Sequence, residues 1–203
     1  MRKIIATEFV TLDGVMEAPD QWSFQFWRED VGKFKENELL KESGALLLGR
    51  VTYDIFAEAW PKLTDKENLR RVKKAGGKGP KANTGEDNAF ADRMNSIQKF
   101  VVSTTLKEAK WNNSKIIKGD VAKEIARLKQ QPGKNIVIHG SADLVNSLTR
   151  QGLIDEYRLM VFPIVLGKGK RLFNEGTNAT LKLVESRNFE SGIVVLTYEP
   201  KKG

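Results

Sequence analysis

The sequence has no cysteine, so disulfides, thiolate metal sites and cysteine nucleophiles are excluded. It has a single histidine, His139, which leaves no imidazole cluster for zinc, and no metal site is expected. It also lacks any apolar run near the ~20 residues needed to span a bilayer. The opening MRKIIATEF is interrupted by Glu8 after a few apolar residues, so a secretion signal is not expected and the cytoplasm is the expected address. What is present is 40% hydrophobic and 30% charged residues over 203 positions, a composition that suits one folded core rather than a disordered chain. A single domain over residues 1–203 is expected.

Charge is unevenly placed. The net charge is +8, and residues 62–81 hold eight basic residues (Lys62, Lys66, Arg70, Arg71, Lys73, Lys74, Lys78, Lys81) against Asp65 and Glu67. The segment ends in Gly76, Gly77, Gly79 and Pro80. The expected form is a solvated surface insertion, loop-like over residues 62–88. A nucleic-acid arm is disfavoured, because the stretch carries no interleaved aromatics on which bases could stack.

Three strand-to-helix junctions organise the rest. Residues 136–138 form a short β-branched strand that breaks at Gly140 and Ser141 into a helix carrying Leu144, Val145 and Leu148; Ser141 is placed as its N-cap and Gly152 as its left-handed end. Such a junction aims free N–H groups and a helix dipole at one point, which suits a phosphate or pyrophosphate. Residues 45–48 break at Gly49 in the same way, and Arg50 and Thr52 open the following helix, the arginine fork matching phosphate oxygens. Residues 99–102 end in the hydroxyl run Ser103, Thr104 and Thr105, able to hydrogen-bond a ribose or its phosphate.

Other stretches complete the outline. A strand over residues 3–10 leads to an Asp13–Gly14 turn, and Trp22, Phe24, Phe26 and Trp27 crowd an irregular segment before a helix over residues 29–42. A short strand is expected within residues 111–117, and a long one after Gly152, bent by Pro163 and ended at Gly167 and Gly169, with an Asp120-capped helix between 120 and 129. A hairpin turning at residues 190–192 closes the chain. Strands alternating with helices, then an antiparallel end, predict an α/β fold: a mixed, mostly parallel sheet with helices on both faces.

Five stretches carry a resemblance: TLDGVM (11–16), LLLGRVTYDIF (46–56), FVVSTTL (100–106), HGSADLV (139–145) and GLIDEYRLMVFPIVLGKGKRLF (152–173). Together they resemble the dihydrofolate reductase-like family, in the branch similar to the reductase domain of bacterial riboflavin biosynthesis. The resemblance implies a homodimer that binds NADPH along the carboxyl edge of its sheet. It implies that Gly49, Arg50 and Thr52 hold the adenosine phosphates, with Arg50 near the 2′-phosphate. Ser103 and Thr104 would contact the adenine-side ribose and its phosphate, and Gly140, Ser141 and Ala142 would cradle the pyrophosphate. Asp13 and Gly14 would border the nicotinamide.

The implied chemistry is hydride transfer to a C=N or C=O of a small heterocyclic or sugar-phosphate-like substrate, an activity like that of the riboflavin-pathway reductase or of dihydrofolate reductase. Asp30 falls in the pattern of the helix acid that assists hydride transfer in folate reductases, although a first-turn acid also complements a helix dipole. Trp22, Phe26, Trp27, Tyr53 and Phe56 are expected to wall the substrate site, and His139 adjoins the pyrophosphate loop. The competing expectation is a nucleotide-binding module of the same fold without catalysis.

Overall fold

The computed structural model describes residues 1–63, 65–76 and 89–201. One eight-stranded sheet runs through it: β1 (Ile4–Thr11), β2 (Ser43–Gly49), β3 (Gln98–Val102), β4 (Ser114–Ile117), β5 (Asn135–Ile138), β6 (Glu156–Phe162), β7 (Leu181–Asn188) and β8 (Val194–Pro200), in the order β4-β3-β2-β5-β1-β6-β8-β7. The first six of that order pair in parallel, and β8 and β7 add antiparallel. The helices are α1 (Pro19–Trp22), α2 (Glu29–Asn37), α3 (Arg50–Ala59), α4 (Asp65–Lys74), α5 (Ala89–Ser96), α6 (Val121–Gln130) and α7 (Ala142–Arg150). The mostly parallel α/β sheet with a terminal antiparallel hairpin is the architecture that the sequence predicts.

The local signals behave as their chemistry requires. Asp120 caps α6 by accepting the Lys123 N–H at 3.0 Å. Ser141 caps α7 by accepting the Leu144 N–H at 3.4 Å, and Gly152 takes φ +63° just beyond its end. The central strands are apolar on both sides. Ile4, Ala6, Ile136 and Ile138 pack with Ile125, Leu128, Val145 and Leu148 of α6 and α7. Leu46, Leu48 and Val137 face Tyr53, Met94 and Trp111. A third cluster, built on Trp22, Val31, Met160, Phe162 and Phe189, sits under α1 and α2.

Several expectations are corrected. The basic segment is not simply a loop: Asp65–Lys74 folds into α4, with Val72 only 5% exposed, and it packs against the 3-10 turn Phe24–Phe26 and against α5. Lys, Arg and Glu are strong helix formers, so a run of charge is compatible with a helix once one apolar position finds a surface. The Gly/Pro-rich remainder, residues 77–88, lies outside the described residues. Helix 29–42 stops at Asn37 and continues as a π-helical turn, Glu38–Glu42. The strand expected to run to Gly167 ends at Phe162 as β6, because Pro163 can no longer donate to a ladder, while the short strand within 111–117 is β4, Ser114–Ile117. No described helix is long and apolar enough to cross a membrane.

Candidate active site

Because β4, β3, β2, β5, β1 and β6 run parallel, the loops that follow them gather along one edge of the sheet. At its centre two junctions touch. The Gly49 N–H donates to the Gly140 carbonyl at 3.4 Å. A Cβ on Gly49 would lie 2.5 Å from Ser141 Oγ, and one on Gly140, which has φ +81°, would lie 3.0 Å from Thr52 Oγ1. The Gly140–Ser141 peptide is cis. The glycines therefore let the β2–α3 and β5–α7 loops interlock, leaving the first N–H groups of α7 without intrahelical partners. Ala142, at the start of that helix, is buried.

Beside this contact is a cavity of about 320 Å³ lined by Arg50, Val102, Ser103, Thr104, Thr105, Ile117, Gly119 and Val121. Three residues singled out in sequence, Arg50, Ser103 and Thr104, thus meet in one place. Arg50 is exposed and makes a 3.1 Å ion pair with Asp54, one turn along α3, which holds its guanidinium without burying it. Ser103 is buried, and its Oγ accepts the N–H groups of Thr105 and Leu106 at 3.2 and 3.0 Å, shaping the loop. A larger recess of about 630 Å³ lies between α3 and the Trp111 loop.

On the other side of the contact, β1 and β5 part. Their pairing ends at Ala6 with Ile138, whereas β1 remains paired with β6 through Thr11 with Phe162. The β5 side of β1 therefore has no strand partner beyond Ala6, until Thr11, whose N–H donates to the Val15 carbonyl and whose carbonyl accepts the Gly14 N–H. The Asp13 carboxylate closes the far end of this stretch: it accepts from Thr11 Oγ1 and from the N–H groups of Leu166 and Gly167. Those bonds, the Thr11 hydroxyl first, hold it well below the usual carboxylate range.

The aromatic residues do not form one wall. Trp22, Phe26 and Trp27 pack with Phe9 and Phe162 near α2. Tyr53 is 3% exposed and accepts the Trp111 N–H at 2.9 Å, and Phe56 packs on Trp60 and Trp111, so both belong to a separate cluster around α3. Asp30 is half-buried at the start of α2; its two carboxylate oxygens accept the N–H groups of Val31 at 2.8 Å and Glu190 at 3.1 Å.

Sequence reading missed a buried polar group where β1 and β5 separate. Glu8 is 4% exposed, and its Oε1 accepts the Gly140 N–H at 2.7 Å. Burial pushes its carboxyl up to about 8, with the Gly140 bond and Lys35 offsetting only part of that. Nearby, buried Lys35 donates to Thr7 Oγ1 at 3.3 Å and pairs with Glu38, which Arg158 also contacts at 3.5 Å. Burial alone would raise Glu38, but Lys35, with Arg158, outweighs it and leaves the group lowered. His139 lies beside the Thr7 backbone, and desolvation followed by Lys35 pushes the ring down to about 3, so it is neutral at pH 7. The available signal was Glu8 itself, an acid set in an otherwise apolar strand. Among the described residues no group of three or more His, Asp and Glu could hold a metal.

A model of the RibD C-terminal domain matches residues 2–195. The chain belongs to the RibD C-terminal domain family. The uncharacterised protein YyaP of Bacillus subtilis (strain 168) is 31% identical over 199 residues, 97% of this chain and 94% of that one. A Shewanella sp. PV-4 protein named provisionally for riboflavin biosynthesis superimposes with a TM-score of 0.66 at 20% identity, covering 98% of this chain and 99% of that one. Dihydrofolate reductase from Enterococcus faecalis, complexed with NADP(H) and RAB-propyl, gives 0.55 at 15% identity over 98% and 97% of the two chains. At these identities the structural likeness concerns the fold, a reductase-like one that this RibD C-terminal chain shares.

The interlocked glycines lead to a testable expectation. Gly49→Ala would drive Ser141 Oγ from its place and cost α7 its cap. Urea unfolding is expected to show a loss of about 1–2 kcal/mol; an unchanged midpoint would mean that the two loops are not held in contact.

Proposed function

We propose that the chain is an NADPH-dependent reductase that transfers a hydride to a C=N or C=O of a small heterocyclic or sugar-phosphate-like substrate. The observation that carries this reading is the meeting of Arg50, Ser103 and Thr104 in one cavity beside the Gly49, Thr52, Gly140 and Ser141 contact. Arg50 would fork onto a 2′-phosphate, with the hydroxyls of Ser103 and Thr104 beside it. Among the described residues, none that lines the cavity is an acid able to bind a free ribose diol. Gly140, Ser141 and Ala142 would offer the α7 N-terminus to the pyrophosphate. The edge of β1 at Phe9, past the end of the β5 pairing, suits a flat ring carrying both a hydrogen-bond donor and an acceptor, such as a carboxamide-bearing nicotinamide.

When bound, NADPH would supply the hydride; the protein must orient it, exclude water and provide a proton. Trp22, Phe26 and Trp27 lie on the α2 side of the sheet and are the better candidates for a substrate wall. Tyr53 and Phe56 are occupied in the α3 core. Asp30 is the acid that the family likeness suggests, and its engagement by two backbone N–H groups also supports the second reading, a nucleotide-binding module without catalysis. Oxidation of NADPH in the presence of a panel of pteridines and aminopyrimidines separates the two.

We further infer a cytoplasmic homodimer. Leu183 and Val184 of the edge strand β7 are 49% and 54% exposed, an apolar edge that a second copy would cover. Sedimentation is expected to give twice the 22.8 kDa chain mass, and Val184→Glu to shift it toward the monomer. A parent protein that is monomeric at micromolar concentration would remove this inference.

For the cofactor, titration by quenching of the four tryptophans is expected to show tighter binding of NADPH than NADH. Arg50→Ala should weaken NADPH binding by roughly 10- to 100-fold and leave NADH nearly unchanged. Equal affinity for the two dinucleotides in the parent would count against the assignment of Arg50 to a 2′-phosphate.

A further inference from the structure

The separation of β1 and β5 encloses one acid for which the proposed reaction has no use. Glu8 is buried, and the only hydrogen bond of its carboxyl group within the described residues is the one it accepts from Gly140 N–H at 2.7 Å. No described cation pairs with it, because every neighbouring charge is already committed. From α2, Lys35 serves Glu38 and Thr7 Oγ1. From the turn after α2, Glu38 adds a negative field. From β6, Arg158 is shared among Glu38, Glu42 and Glu156. From the end of β5, His139 is neutral at pH 7. From the loop after β6, Lys170 pairs at 2.7 Å with Asp143 in the first turn of α7, and its N–H is taken by Glu17. A carboxylate at Glu8 would therefore be a buried charge with no ion-pair partner among the described residues, eased only by the field of Lys35.

Gly140 is the first residue of the loop assigned above to the pyrophosphate, so the inference rests on the reductase reading. We propose that Glu8 is a positioning residue for the dinucleotide loop and couples cofactor binding to pH. Its neutral acid fixes the Gly140 N–H without opposing an anion, and its carboxylate sets a negative charge directly against the pyrophosphate cradle. Binding and protonation then assist each other: an anion in the cradle strengthens the hold of Glu8 on its proton, and loss of the proton weakens the anion's hold. The device needs only one buried side chain, one backbone N–H and a nearest cation, Lys35, already paired with Glu38.

The sign of the linked stability follows from where the group titrates. Burial raises Glu8 in the folded chain from 4.5 to about 8. Its contribution is complete below pH 4.5 and is lost as pH climbs through 8. His139, lowered from 6.5 to about 3, acts below pH 6.5. Lys99, lowered by burial from 10.5 to about 8, acts above pH 8. The window from pH 6.5 to 8 therefore belongs to Glu8 among these three groups.

The test follows NADPH binding from pH 6.5 to 9.5 in the parent and in Glu8→Gln, which keeps a carbonyl oxygen for Gly140 N–H but cannot ionise. Melting curves are recorded on the same samples. The parent Kd is expected to rise by up to roughly tenfold per pH unit above pH 8, and that of Glu8→Gln to stay flat over the same range. The parent's melting temperature should fall between pH 6.5 and 8 and the variant's should not. Equal pH slopes of Kd in two proteins that both bind would overturn the coupling while leaving the cofactor assignment intact. No binding by either at pH 6.5 would overturn the cofactor assignment and this inference with it. Should the substitution impair folding, Glu8→Asp restores the ionisable group, and a flat Kd profile in a folded Glu8→Asp protein would equally contradict the proposal.

Discussion

The carboxyl edge of this protein depends on the contact between two loops that only glycines permit. Gly49 leaves room for Ser141 Oγ, and Gly140, at φ +81°, leaves room for Thr52 Oγ1. With side chains at either position the β2–α3 and β5–α7 junctions would stand apart, and α7 would lose either its cap or its place against β2. Because the junctions meet, a helix N-terminus, an arginine and a run of hydroxyls face one stretch of the sheet edge. None of these features is specific alone; their convergence gives the edge its chemistry.

A second constraint runs beneath α2. The network of Lys35, Glu38 and Arg158 removes three charges from water, and such groups are stable only when each is paired. Their geometry ties α2 and the π-helical turn after it to β1 and β6, which fixes the aromatic cluster of Trp22, Trp27 and Phe162 over the sheet. Glu8 and His139 border this network without being paired into it. They avoid the penalty in the other available way, by remaining neutral at pH 7. A strand that leaves its neighbour early, as β1 leaves β5, makes the space in which such groups can sit.

How much was legible in the sequence follows the range of the interactions involved. Ser141, Asp120 and Gly152 are local devices, and each does in the structure what its residue type and position predict. The hairpin and the strand-to-helix breaks were readable for the same reason. The strand order was not, since the pairing of β1 with β5 and β6 joins residues more than a hundred positions apart and leaves no periodic trace. Helix α4 was hidden by its charge: Val72 gives too thin an apolar stripe to outweigh the basic residues around it. The division of the aromatics was equally tertiary, because Tyr53 and Trp22 look alike as isolated apolar side chains and only the sheet decides which faces they join. Glu8 was visible as an anomaly in β1, but its meaning required Gly140 beside it.

The central claim is that this edge is a dinucleotide site whose 2′-phosphate end is Arg50 with Ser103 and Thr104. The most direct measurement is a crystal structure of the protein grown with NADPH. The account predicts the 2′-phosphate within hydrogen-bond distance of the Arg50 guanidinium, the pyrophosphate against residues 140–142, and the nicotinamide along the open edge of β1. A dinucleotide bound elsewhere, such as the recess beside Trp111, or one lying along the edge with its 2′-phosphate away from Arg50, would contradict it.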